Sequence, residues 1–186
     1  MTSELWIWVG LAVVAVLLAA GLGYAVWRRR GSGLDRLLNE VALRKLQHVL
    51  LPDGMGGQIQ LEYLLLTAQG LVVIDVKPIE GVVFASDRMT EWTVIGARGR
   101  FTFPNPQGTL YDRVAALRLL VRDVPVAGYV LFGNGADFSK GRPRDVILPR
   151  ELAEWHAKPD RAEIERVLEA YLPHWEQVRA VAQPAA

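Results

Sequence analysis

Two carboxylates and an amine, Glu62, Asp75 and Lys77, fall in one stretch of the chain, Gln58 to Lys77, which reads QIQLEYLLLTAQGLVVIDVK. In a strand, residues two apart share a face, so Asp75 and Lys77 project together while Val76 points the other way. Glu62 joins them if the segments on either side of Ala68-Gln69-Gly70 pair as an antiparallel hairpin. Two hard oxygen ligands beside an ammonium suit magnesium or manganese together with a phosphate.

The hairpin itself is written in the pattern. Ile59, Leu61, Tyr63 and Leu65 alternate with Gln58, Gln60 and Glu62, and Leu71 to Val76 is an apolar, largely β-branched run ended by Pro78. Ahead of it, Val49 to Leu51 reads as a short strand, and Asp53-Gly54-Met55-Gly56-Gly57 as a flexible turn. The loop lacks the Lys-Ser/Thr ending of a phosphate-binding loop and leads into a strand instead of a helix.

An acid on one strand, a Gly turn, then Ile-acid-x-Lys on the next resembles the core of the PD-(D/E)xK nuclease superfamily. The surroundings resemble its nuclease-related domain (NERD) branch. The residues that carry the likeness are Gln60-Leu61-Glu62-Tyr63, Gly70, Ile74-Asp75-Val76-Lys77, Gly81, Trp92 and Asn105-Pro106, within a match running from about Leu34 to Phe132. The family pattern has Asp where this chain has Glu62, His where it has Tyr63, and Glu where it has Asp75. Its Gln four residues after the Asn is Thr109 here, with Gln107 nearby. Each acid exchange keeps the charge and moves a carboxylate by about one methylene, on the order of an ångström.

The resemblance implies a restriction-endonuclease-like α/β sandwich around a mixed central sheet. It also implies roles: Glu62, Asp75 and the carbonyl of Val76 as metal ligands, Lys77 as the catalytic lysine, and Glu40 and Gln107 as auxiliary groups.

The elements that must hold this site follow in order. Leu34, Leu37, Leu38 and Val41 form a helical stripe. After Lys77, Gly81 to Ser86, Trp92 to Ile95 and Arg100 to Phe103 alternate as an antiparallel extension with Trp92 packed over a sheet. Arg88, Arg98 and Arg100 lie in or beside it and are candidates for contact with a nucleic-acid backbone. Asn105-Pro106-Gln107-Gly108 breaks the chain before a helix with Leu110, Val114, Leu117 and Val121 on its apolar stripe and Arg113, Arg118 and Arg122 outside it. Val126 to Phe132 is a buried strand, Gly133 to Arg144 a basic loop, and Val146 to Leu148 a last short strand. Asp160 and Glu163 form a capping box for a helix carrying Ile164, Val167, Leu168 and Tyr171, which Pro173 is expected to break. The tail beyond Trp175 is expected to fray at Pro184-Ala185-Ala186.

The chain opens with an uncharged apolar segment, Leu5 to Trp27, long enough to cross a bilayer as a helix, with tryptophans and Tyr24 near its ends. Arg28, Arg29 and Arg30 follow, which predicts a single-pass protein with its N-terminus outside and its domain in the cytoplasm, in a bacterial inner membrane. The expected organisation is an anchor over 1–30, a linker over 31–33, a nuclease-related domain over 34–150 and a C-terminal helical extension over 151–186.

Composition narrows the chemistry. With 186 residues there is room for one domain after the leading segment. The absence of cysteine excludes disulfides and thiolate metal sites. A net charge of +1 means that contact with DNA or RNA must come from local clusters. The three histidines, His48, His156 and His174, stand far apart without ligand spacing and are read as surface or capping groups.

Three functions follow. The first is a membrane-anchored nuclease that hydrolyses DNA phosphodiesters with magnesium or manganese. The alternative is a catalytically degenerate nuclease fold that binds nucleic acid or protein at the membrane. The third is a structural domain in which Asp75 and Lys77 form an ion pair at a strand end.

Overall fold

The computed structural model describes residues 33–97 and 99–185. The expected membrane span at Leu5 to Trp27, the arginines at 28–30 and Arg98 lie outside the described residues. No helix among the described residues is long and apolar enough to cross a membrane. The chain divides into two compact units, residues 1–37 and residues 38–186. Residues 33–41 are helical (α1), and in the second unit Leu38 and Val41 of this helix are buried.

The second unit is a mixed α/β fold. The expected hairpin forms as β2 (Gln58–Thr67) and β3 (Gly70–Lys77), antiparallel and in register from Thr67↔Gly70 to Tyr63↔Ile74. Gly70 makes the turn possible, because its φ of 120° is open to glycine and a Cβ there would strike the carbonyl of Pro125. On the other side of β2 lies β1 (Arg44–Pro52), longer than the three apolar residues that mark it in the sequence. The glycine turn before β2 is pinned, since Oδ1 of Asp53 accepts from the main-chain N–H groups of Met55 and Gly57.

Beyond Lys77 the chain leaves this sheet. β4 (Gly81–Phe84), β5 (Glu91–Gly96) and β6 (Gly99–Pro104) pair antiparallel as expected, but they form a second sheet. The chain returns through helix α2 (Gln107–Leu120) to β7 (Val126–Phe132), which pairs parallel with β3. A short β8 (Ala136–Asp137) joins the second sheet beside β4, and β9 (Val146–Ile147) adds to β7. Helices α3 (Pro149–Trp155) and α4 (Arg161–Val181) follow, then β10 (Gln183–Pro184), which pairs with β1. The main sheet therefore runs β10-β1-β2-β3-β7-β9 and is mixed.

Two expectations at the C-terminal end are overturned. Helix α4 continues through Pro173 to Val181. Its stripe of Leu168, Tyr171, Leu172, Trp175 and Val178 packs on the core and offsets the hydrogen bond that an internal proline removes. The tail is not frayed at Pro184, because that residue is opposite Val49 and Ala185 N–H donates to the His48 carbonyl at 2.8 Å. At the start of α4, Oδ1 of Asp160 accepts from Glu163 N–H at 2.9 Å, the Asp160 half of the expected capping box.

Strand alternation sorts the sheet into two faces. Leu64, Leu66, Leu71, Val73, Val126 and Val130 meet Leu110, Val114 and Leu117 of α2, and Trp175 and Val178 of α4 join the same core. Gly128 lets α2 approach, since a Cβ there would lie 2.5 Å from Val114. By the same alternation Glu62 and Asp75 project on this face. The opposite face buries Leu65, Val72, Ile74 and Leu131, and α3 brings Trp155 and His156 against Tyr129. His156 is thus a buried residue, not a surface one, and burial pushes its pKa below the ordinary value.

Candidate active site

Main-chain pairing between β2 and β3 ends at Tyr63↔Ile74, while β2 continues against β1 as far as Gln58. The two strands separate at the next position, and side chains fill the notch. Oε2 of Glu62 accepts a hydrogen bond from Val76 N–H at 2.8 Å, so a carboxylate stands where a ladder carbonyl would be. The glutamate, one methylene longer than aspartate, spans that gap.

Asp75 sits across the notch and is 2% exposed. Its Oδ2 accepts from Nη1 of Arg113, which reaches down from α2 to form an ion pair. The same guanidinium donates through Nε to the Gln60 carbonyl at 2.6 Å, so Arg113 ties α2 to both strands at the site. Oδ1 of Asp75 is buried and has no hydrogen-bond donor among the described residues. Lys77, half-buried at the end of β3, carries no ion pair among the described residues, so the Asp75–Lys77 pair of the structural reading gives way to Asp75–Arg113.

The charges of the three groups act on one another. Burial raises the pKa of Asp75 above the usual carboxylate value, and the positive charges of Arg113 and Lys77 only partly offset it. Burial also raises Glu62, the Val76 N–H opposes this, and the negative charge of Asp75 raises Glu62 further while Lys77 lowers it. The notch therefore holds two mutually repelling carboxylates, one with a buried oxygen unpaired among the described residues, beside the Lys77 ammonium. That donor set fits a hard divalent cation. The protein supplies two carboxylates; among the described residues no cluster of three or more His, Asp or Glu side chains is arranged around one point.

The other candidates lie elsewhere. Glu40 is exposed on α1. Tyr63, at the position of the family histidine, is buried on the sheet face opposite Glu62, its ring 5.9 Å from that of His48. Trp92 is fully buried and donates Nε1–H to the Ser86 carbonyl, which fits its expected packing role. Arg100 is exposed on β6. Gln107 is 2% exposed at the start of α2, where Nε2 donates to Oδ1 of Asp87 and to the Arg144 carbonyl, both at 2.8 Å. It therefore belongs to a second polar cluster, away from the carboxylate pair, and Arg88 lines that cluster's pocket.

Arg113 is the residue that the sequence pattern did not single out. It flanks the apolar stripe of α2, a position that usually faces solvent, and its partners come from two other elements. The signal available was its place beside Leu110 and Val114 near the helix start, the end that meets the carboxyl ends of β3 and β7.

Comparison with known protein families matches residues 31–133 to the nuclease-related domain (NERD). No curated protein and no solved structure matches the chain.

Proposed function

The chain belongs to the nuclease-related domain family, and from that premise we propose that it is a membrane-anchored nuclease that hydrolyses DNA phosphodiesters at the cytoplasmic face with a bound magnesium or manganese ion. The observation that carries this reading is the convergence of Glu62, Asp75 and Lys77 in one notch, with Oδ1 of Asp75 buried and unpaired. Glu62 and Asp75, with the Val76 carbonyl, would hold the cation. When bound, the cation supplies Lewis-acid polarisation of the phosphate.

The chain's own groups do the rest. Lys77, as the ammonium, orients the attacking water and neutralises charge building on the phosphate oxygens, while the water's proton passes to solvent. The notch between β2 and β3 fixes the two carboxylates on strands instead of loops. Arg113 keeps one carboxylate oxygen of Asp75 engaged and leaves the other available. The anchor rests on the uncharged Leu5 to Trp27 segment and the arginines that follow it.

One observation favours a second reading, in which the fold binds nucleic acid or protein without cleaving. Arg113 already neutralises Asp75, which lowers the need for a cation.

The test is cleavage of single- and double-stranded DNA and of RNA by the full chain in detergent, with magnesium or manganese, beside Asp75→Ala and Lys77→Ala. Metal-dependent cutting that both variants reduce by about a hundredfold or more supports the nuclease reading. No cutting by the folded protein, with DNA binding unchanged in both variants, supports the binding reading.

A further inference from the structure

Residues from three parts of the sequence, 87–90, 105–111 and Arg144, converge on an open pocket of about 710 Å³ at the start of α2. Their hydrogen bonds are built around one buried amide. Gln107 Nε2 donates to Asp87 and to the Arg144 carbonyl, and Gln107 N–H donates to Oδ1 of Asn105. Asp87 also accepts from Arg144 N–H at 2.8 Å. Oε1 of Gln107 is a buried acceptor without a donor. Asp145 adopts a left-handed backbone, φ 57°, rare for a residue with a side chain, and such strain gathers at functional positions.

The strained residue has a visible effect. Oδ2 of Asp145 accepts from the Tyr111 hydroxyl at 2.9 Å, which pins the tyrosine while 47% of it stays exposed. A large ring is therefore held fixed in the open at the pocket wall, with Met89, 40% exposed, lining the same pocket. Two guanidiniums flank it. Arg88 is exposed with no hydrogen bond or ion pair among the described residues, and the Arg144 side chain is 85% exposed with only a 3.4 Å contact to Asp87. The two acids of the cluster are both engaged, Asp87 by Gln107 and Arg144 and Asp145 by the tyrosine, which leaves Arg88 as the pocket cation with no acid partner among the described residues.

A rigid exposed aromatic beside exposed guanidiniums is the chemistry that holds an unpaired nucleotide: stacking for the base and charge for the phosphate. Position supports the match. At about 100° per residue, Tyr111 and Arg113 leave α2 on opposite flanks of the stripe made by Leu110, Val114 and Leu117. The pocket and the carboxylate notch therefore lie on either side of one helix, both served by its first two turns.

We propose that this pocket is a nucleotide subsite, in which a base from an unpaired strand stacks on Tyr111 and the adjoining phosphates meet Arg88 and Arg144. The strand then crosses the start of α2 toward Glu62 and Asp75, a step that rests on the nuclease reading; binding in the pocket itself does not require the carboxylates or a metal.

The experiment is fluorescence anisotropy of a labelled single-stranded oligonucleotide with the full chain in detergent and EDTA, so that cleavage plays no part. Tyr111→Ala is expected to weaken binding about tenfold, and an oligonucleotide with abasic positions to bind the wild type about tenfold more weakly than its intact counterpart. Arg88→Ala, at an exposed residue with nothing to unfold, is expected to weaken binding severalfold and flatten its salt dependence. Affinities unchanged in both variants, equal binding of intact and abasic strands, or a mononucleotide binding as tightly as the strand would each overturn the proposal. A protein that binds in this way but never cuts DNA loses the nuclease reading and keeps the subsite.

Discussion

Arg113 and Asp75 set the character of the notch between them. The guanidinium favours the charged form of a carboxylate that burial disfavours, and it competes for that carboxylate with any divalent cation. Arg113→Met should cost the metal-free protein about 3 kcal/mol, the usual order for leaving one member of a buried pair alone. It should also tighten manganese binding by about tenfold, because a positive charge beside the cation has gone. Calorimetric titration with manganese and thermal melts with and without the ion check both halves; unaltered or weaker manganese binding would contradict the competition. Glu62 gives a pH test. Its folded pKa lies above the ordinary 4.5, so the folded state binds that proton more tightly and stability from this group is lost as pH rises through the folded value. Glu62→Gln, which still accepts from Val76 N–H, should therefore match the wild type near pH 4 and melt higher at pH 7. A melting difference that fails to grow with pH contradicts this. Glu62, Asp75 and Lys77 were legible because strand alternation and one glycine turn are local facts. Arg113 was not, since its role depends on partners from elements dozens of residues away.

Helix α2 is the element on which both sites turn, and its height above the sheet is set by a single missing side chain. Gly128 faces Val114 and Leu110, where a Cβ would lie 2.5 and 3.0 Å from their side chains. Gly128→Ala should destabilise the fold by about 1–3 kcal/mol through overpacking. It should also lower the cleavage rate more than it raises KM, because the shifted helix carries Arg113 away from Asp75. Denaturant melts and kinetics measure the two effects separately; a variant with lost stability and an intact rate would show that α2 does not position the notch. Elements with strong internal periodicity, such as β2, β3, β7 and α2, could be read from the chain. β1 was read too short because its first residues, Arg44, Lys45 and Gln47, are polar and project from a strand whose outer edge is covered only in part. α4 was expected to stop at Pro173 because propensity argues locally, while Trp175 and Val178 hold the last turns by packing on residues far upstream. The subsite pocket was unreadable for a related reason: Arg88 was visible as a charge, but Tyr111 and Asp145 acquire meaning only where three segments meet.

At the scale of the whole chain, a net charge of +1 gives little long-range attraction for a polyanion. On the proposed reading, retention of a nucleic acid then depends on local groups such as Lys77, Arg88 and Arg144, and on the proposed anchor. The proposed anchor predicts that the full chain stays with membranes through an alkaline carbonate wash, and that replacing Val14 and Leu18 with arginine releases it. Recovery of the unaltered chain in the soluble fraction would remove the anchor from the proposal.

The sheet edge formed by β10 bears on how this protein comes to be folded. Leu50 is paired with Gln183, 133 residues further along, so the outer rim of β1 must wait for nearly the whole domain to be synthesised before its own partner arrives. During that interval β1 presents open main-chain groups that a neighbouring nascent chain could pair with instead. Pairings of such long reach are also slow to form. The nuclease-related core can therefore assemble early around β2, β3, β7 and α2, while β10 covers its short stretch of the β1 edge, Val49 and Leu50, only late.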